Sequence, residues 1–173
     1  LNRIFIPKKD GGILSNQQVV DYAFGIAPGV FAVIYSEDDY VNYEMEYLKM
    51  GEGPYWTLYR PYHLTSLEIP RTIMHLALNK DTILNAKNLN VYVAAYAKKD
   101  LIKGDHLDSI GGHCYYGVAI NHSQKENSLP VGIAENAIML EPIRKGDPIL
   151  LDQVEIEQNT IYKMWKDQEE KFI

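Results

Sequence analysis

Gly51-Glu52-Gly53-Pro54-Tyr55-Trp56-Thr57-Leu58-Tyr59-Arg60-Pro61-Tyr62-His63-Leu64-Thr65-Ser66-Leu67-Glu68-Ile69-Pro70 carries the clearest structural message in the chain. Tyr55 to Arg60 reads as a strand, and Pro61 ends it because proline has no amide proton for a ladder. Thr65-Ser66-Leu67-Glu68 fits a capping box, and Pro70 suits an early helical position. The stretch also holds four tyrosine or tryptophan rings, three prolines, Arg60 and His63. Rigid backbone, ring surfaces, a fixed cation and a titratable imidazole are what a pocket for a small polar anion needs.

The flanks extend this strand–helix reading. Val30-Phe31-Ala32-Val33-Ile34-Tyr35 is a short apolar run rich in β-branched and aromatic residues, which predicts a buried strand. Ser36 is placed to cap the helix that follows, with Asp38 and Asp39 favourable in its first turn. Val41, Met45 and Leu48 recur at helical spacing, as do Tyr40, Tyr43 and Tyr47, and Gly51 is the expected stop. Beyond Pro70, Ile73, Met74, Ala77 and Leu78 form an apolar stripe. Residues 1–20 are a polar lead-in. The first half is therefore strand, helix, strand, helix, an α+β or α/β arrangement.

The character changes at residues 84–90, where Asn85, Asn88 and Asn90 cluster. This predicts a central domain over 1–88, a β domain over 89–158 and a terminal helix over 159–173. Val91 to Tyr96 reads as a strand. Leu101-Ile102-Lys103-Gly104-Asp105-His106-Leu107 parallels Ile143-Arg144-Lys145-Gly146-Asp147-Pro148-Ile149, 42 residues later. In each copy a Lys-Gly-Asp turn sits between apolar positions, and its glycine suits the left-handed conformation of a bulged hairpin. Two related hairpin units predict a small pseudo-symmetric β domain. The tail, capped by Thr160, carries Ile161, Tyr162, Trp165 and Phe172 among charges.

Composition narrows the function. The 173 residues suffice for a real core, and the net charge of −6 with scattered basic residues excludes a nucleic-acid footprint. A single cysteine, Cys114, forbids an internal disulfide and points to a reducing, cytoplasmic setting. Asn121-His122-Ser123 is a chance sequon there. No apolar run approaches the roughly 18 residues of a membrane span, and no signal peptide is evident. His113, Cys114 and His122 match no zinc spacing, so no metal is expected. Gly51-Glu52-Gly53 lacks the third glycine and the preceding strand of a dinucleotide fingerprint. The chain starts at Leu1 rather than Met, which reads as a fragment or as a chain that has lost its start.

Several separate words, in order, resemble one family. They are Val20-Asp21-Tyr22, Gly25 to Phe31, Tyr47 to Pro54, Tyr59 to Leu64, Ala97-Lys98-Lys99-Asp100-Leu101, Asp108 to Gly112, Tyr116-Gly117 and Leu129 to Glu135. Together they look like the central and C-terminal regions of the homoserine-dehydrogenase-like oxidoreductases that end in a SAF domain. That family includes the deoxyxylulose-phosphate reductoisomerase-like enzymes. The resemblance implies an α/β substrate and oligomerisation domain followed by a SAF-type β-clip, α+β overall. It implies NAD(P), bound mainly outside this chain because the family's Rossmann domain precedes this region, so the isolated chain would be inactive. It implies a small polyol, sugar or sugar-phosphate carbonyl substrate, a SAF half that adds to the substrate site, and a homo-oligomer.

On the residues, Arg60 would grip a substrate anion bidentately, or else make a surface or inter-strand ion pair. His63 would handle a proton, or else pack as a hydrogen-bonded histidine. Lys49 would neutralise substrate charge, or simply favour a helix terminus. Glu68 is a catalytic candidate with a capping role as its alternative. Tyr62, Gly111, Gly112 and Glu135 are substrate-binding candidates, the glycines more simply explained by a tight bend. The rival reading is a stand-alone SAF carbohydrate-binding or interaction module without redox activity. A sugar-acid lyase subunit is a weaker third, lacking the metal or base cluster it would need.

Overall fold

The computed structural model describes residues 1–62, 64–84 and 86–171. Along the chain run β1 (Val19–Val20), β2 (Val30–Tyr35), α1 (Asp39–Tyr47), β3 (Tyr55–Arg60), α2 (Thr65–Asn79), β4 (Val91–Ala97), β5 (Tyr115–Asn121), β6 (Ile138–Met139), β7 (Val154–Glu155) and α3 (Thr160–Lys171). The helices and small antiparallel sheets make an α+β chain. It divides into two units: Leu1–Ser15 with Gly25–Ala86, and Asn16–Phe24 with Lys87–Ile173.

In the first unit β2 and β3 pair antiparallel, from Val30 against Arg60 to Tyr35 against Tyr55. An α/β unit would need parallel strands, so the α/β alternative for this half does not hold. The apolar run Val30–Tyr35 forms the expected strand but not a buried one. With a single partner strand, its Val30 and Tyr35 stay more than half exposed. Trp56 is the fully buried anchor, and its indole N–H donates to Asn42 Oδ1 of α1 at 2.8 Å. That bond ties α1 to the ribbon.

The helix ends differ from expectation in instructive ways. Asp38, not Ser36, caps α1, accepting from the Val41 amide at 2.9 Å, while Ser36 Oγ accepts from Asp38 N–H. A carboxylate at this position satisfies the same orphan donor and adds charge complementarity. The helix stops at Tyr47, and Lys49 takes the left-handed conformation (φ 58°) before Gly51 is reached. At α2 the N-cap is Leu64, one residue before Thr65, and the Leu64 side chain offers no cap. Pro70 lies inside that helix, where no amide proton serves the Ser66 carbonyl. The apolar stripe stays open: Ile73 and Met74 are each 61% exposed and Leu78 77%.

The second unit holds the main core. β5 lies between β1 and β4, with Val118 opposite both Val19 and Ala94. The repeat is real but pairs differently from two separate hairpins. Its copies bond to each other, Leu101 and Ile143 exchanging N–H···O bonds of 2.9 Å in both directions. Each turn then clips a second segment. Gly104 N–H donates to Met139 O and Met139 N–H to Asp105 O. Gly146 N–H donates to Ala97 O and Ala97 N–H to Asp147 O. Gly104 (φ 90°) and Gly146 (φ 92°) supply the left-handed turn in each copy. The apolar steps of the repeat, Leu101, Leu107, Ile143 and Ile149, point into one core with Tyr115, Leu129 and Met139. α3 covers part of it with Tyr162 and Trp165. Asn159, not Thr160, caps that helix through Oδ1, which accepts from Tyr162 N–H at 3.0 Å. Asn85 and Phe172 lie outside the described residues.

Candidate functional site

β3 delivers Arg60 to the end of the ribbon, and Pro61 turns the chain toward α2, whose first turns carry Glu68. The Arg60 guanidinium contacts the Glu68 carboxylate. The Arg60 side chain is 60% exposed and that of Glu68 35%, so the guanidinium keeps donors free toward solvent. The neighbouring Tyr59 hydroxyl donates to Pro28 O at 2.8 Å. Tyr62 is exposed. Lys49 is exposed at the left-handed residue after α1. Among the described residues neither Tyr62 nor Lys49 makes a hydrogen bond or ion pair with Arg60 or Glu68. His63 lies outside the described residues. The arrangement is chemically simple: an accessible fork-shaped cation, held by a carboxylate that an incoming oxyanion can replace.

Gly111, Gly112 and Glu135 belong to the second unit. Gly111 is left-handed (φ 83°) and lies under the Tyr22 ring, where an added Cβ would stand 2.8 Å from Tyr22 Cγ. A Cβ on Gly112 would run into the Asp108 carboxylate. The faces these glycines open are therefore filled by side chains of the same chain. Asp108 accepts from the backbone N–H groups of His113 at 2.5 Å and Cys114 at 3.1 Å. Burial pushes the Asp108 pKa upward, but the hydrogen bonds from His113 and Cys114 more than offset it and leave it below the usual carboxylate value. Lys98, just past β4, donates to Gly112 O at 2.8 Å and pairs with Asp21 at 2.7 Å. Glu135 is exposed. Burial raises the Tyr115 phenol to about 12, and the charges of Glu135 and Asp108 add to that. Tyr115 thus stays a neutral phenol within the core.

Asp21, Lys98 and Asp108 are polar centres that sequence reasoning did not select. Asp21 and Lys98 are 77 positions apart, and nothing local signals their pairing. Asp108 left a readable trace, since a carboxylate shortly before a Gly-Gly bend is a common acceptor for the amides that follow. Among the described residues there is no group of three or more His, Cys, Asp or Glu placed to hold a metal ion. Among them, too, no helix is long and apolar enough to cross a membrane.

Residues 1–69 match the family model described as oxidoreductase DRL, catalytic domain.

The match spans 69 of 173 residues and includes Lys49, Arg60, Tyr62, His63 and Glu68. It supports an oxidoreductase-like function. It ends in α2, so Gly111, Gly112 and Glu135 lie beyond it. No curated protein matches the chain.

Proposed function

We propose that this chain is the substrate-holding portion of a NAD(P)-dependent oxidoreductase acting on a small anionic polyol, sugar or sugar-phosphate carbonyl compound. The observation that carries the reading is the match of residues 1–69 to an oxidoreductase catalytic domain. Five of the candidate residues fall inside it. Arg60 would take the substrate anion in exchange for Glu68, a low-cost exchange because exposed ion pairs contribute only about 0–1 kcal/mol. Lys49 would add positive charge, Tyr62 a ring face and a hydroxyl, and His63 would move a proton near neutral pH. The second unit would be the SAF-type β-clip domain; the mutual pairing of its two Lys-Gly-Asp copies supports that reading.

The residues of this chain do not fit a dinucleotide. The junction from β2 to α1 is Ser36-Glu37-Asp38 and that from β3 to α2 is Pro61-Tyr62-His63-Leu64. Neither has a glycine to admit a pyrophosphate, and the first would repel one with two carboxylates. The cofactor would therefore be held by residues outside this chain.

A homo-oligomer is part of the proposal. Leu67, Ile69, Ile73, Met74, Leu76 and Leu78 lie on one broad side of α2, opposite Glu68, Arg71, Thr72, His75 and Asn79, and each is at least half exposed. A broad exposed apolar helix face needs cover, and a second copy of the chain would provide it.

The test is nicotinamide-dependent turnover by the full-length protein on phosphorylated and unphosphorylated sugars and short polyols. The expected result is turnover that prefers the anionic compounds, with the preference lost in Arg60→Ala. Turnover without nicotinamide, or an unchanged preference in the variant, would overturn the reading.

A further inference from the structure

Glu169 is the one buried charged side chain among the described residues, and neither the family match nor the proposed site uses it. It sits in the last turn of α3. Its Oε1 lies 3.2 Å from His122 Nε2, and its Oε2 meets the Lys125 ammonium. His122 and Lys125 belong to the turn directly after β5. Lys125 Nζ is itself 3.2 Å from His122 Nε2. Tyr92 of β4 supplies the floor: its ring meets the imidazole edge-on at 6.0 Å and carries the ammonium 5.7 Å above its centroid. The Tyr92 hydroxyl donates to Ser128 O at 2.6 Å. Lys166 of α3 adds a further positive charge that acts on Lys125.

The imidazole therefore has two claimants for one nitrogen. With Nε2 bare, the ring accepts from Lys125. With Nε2 protonated, it donates to Glu169. A neutral imidazole satisfies one contact or the other, and the cluster's charges balance. A second proton on the ring commits Nε2 to Glu169 and sets two cations 3.2 Å apart, over a single carboxylate. Like charges at that spacing in a mostly buried site repel strongly.

We propose that His122, Lys125 and Glu169 form a proton-operated clasp that holds the end of α3 on the second unit at neutral pH and releases it on acidification. The released helix end is the one whose partners are this cluster, and the same helix carries the Tyr162 and Trp165 rings that cover the core. Burial, and then the charge of Lys125, keeps the His122 pKa below the ordinary histidine value. The sign follows. The folded chain binds this proton less readily than the unfolded chain, so the stability present above the ordinary histidine range is lost as pH falls through the lowered value.

The experiment is amide hydrogen exchange of α3 in the full-length protein between about pH 7.5 and about pH 5, after correction for the intrinsic pH dependence of exchange. Wild type should exchange about tenfold faster at the acidic end in the last turn of α3, while β4 and β5 stay protected. His122→Gln should remove that step, and Glu169→Gln should exchange fast at both ends. Protection of α3 that is independent of pH in wild type, or a step that survives in His122→Gln, would overturn the clasp. Retained protection of β4 and β5 shows that each variant is folded.

Discussion

Arg60 and Asp108 show two opposite uses of a charged group. Arg60 keeps an exposed guanidinium paired with the Glu68 carboxylate, with donors left open to solvent. In Arg60→Ala the loss of a charge-assisted contact should raise KM for an anionic substrate roughly tenfold, about 1.4 kcal/mol, with little change for an uncharged one. Asp108 spends its oxygens on backbone amides inside its own chain. Asp108→Ala leaves the His113 and Cys114 amides without an acceptor and should cost about 1–3 kcal/mol in urea denaturation. Because the folded carboxyl has the lower pKa, its contribution is present above the ordinary carboxylate range and lost as pH falls through the lowered value. The wild-type denaturation midpoint should thus fall at acidic pH, and the Asp108→Ala midpoint should fall less. Equal falls would separate Asp108 from acid sensitivity.

Among the elements, the paired Lys-Gly-Asp turns are where local sequence and fold agree best. Gly104 and Gly146 are both left-handed, and an added Cβ would meet nothing at either. The cost of Gly104→Ala is therefore purely conformational, about 1 kcal/mol. Gly132, equally open but without a positive φ, is the control, and Gly132→Ala should leave the melting temperature unchanged or slightly raised. A Gly104→Ala protein as stable as wild type would show that the turn does not need its glycine. β2, β3, β4 and α2 were legible from periodicity, proline and glycine. The caps were less so. Ser36 and Asp38 both suit the start of α1, and only the backbone geometry decides which of them reaches the Val41 amide. At α2 the N-cap falls on Leu64, and Glu68 contacts Arg60 of the preceding strand.

For the molecule as a whole, the exposed apolar face of α2 sets the strongest expectation. Ile73→Glu should shift sedimentation of the protein toward the monomer and leave its far-ultraviolet circular dichroism unchanged, because Ile73 is 61% exposed and touches no core. An unchanged sedimentation profile would leave this face without a role in self-association.

The positions of β2, β3, β4, α1, α2 and α3 and the two Lys-Gly-Asp copies follow from short-range pattern, since backbone sterics and hydrophobic periodicity act within a few residues, whereas β1, β5, β6 and β7 left no such trace. The match of residues 1–69 to an oxidoreductase catalytic domain is likewise a property of sequence. The tertiary structure decided the rest: that the two copies pair with each other, that Asn16–Phe24 folds with the second unit, that Asp21 meets Lys98, and that Glu169 is buried against His122 and Lys125. Those outcomes turn on which distant groups find each other when the core closes. The energy of a buried charge or an unpaired amide depends on partners 40 to 80 positions away, and no local window contains them.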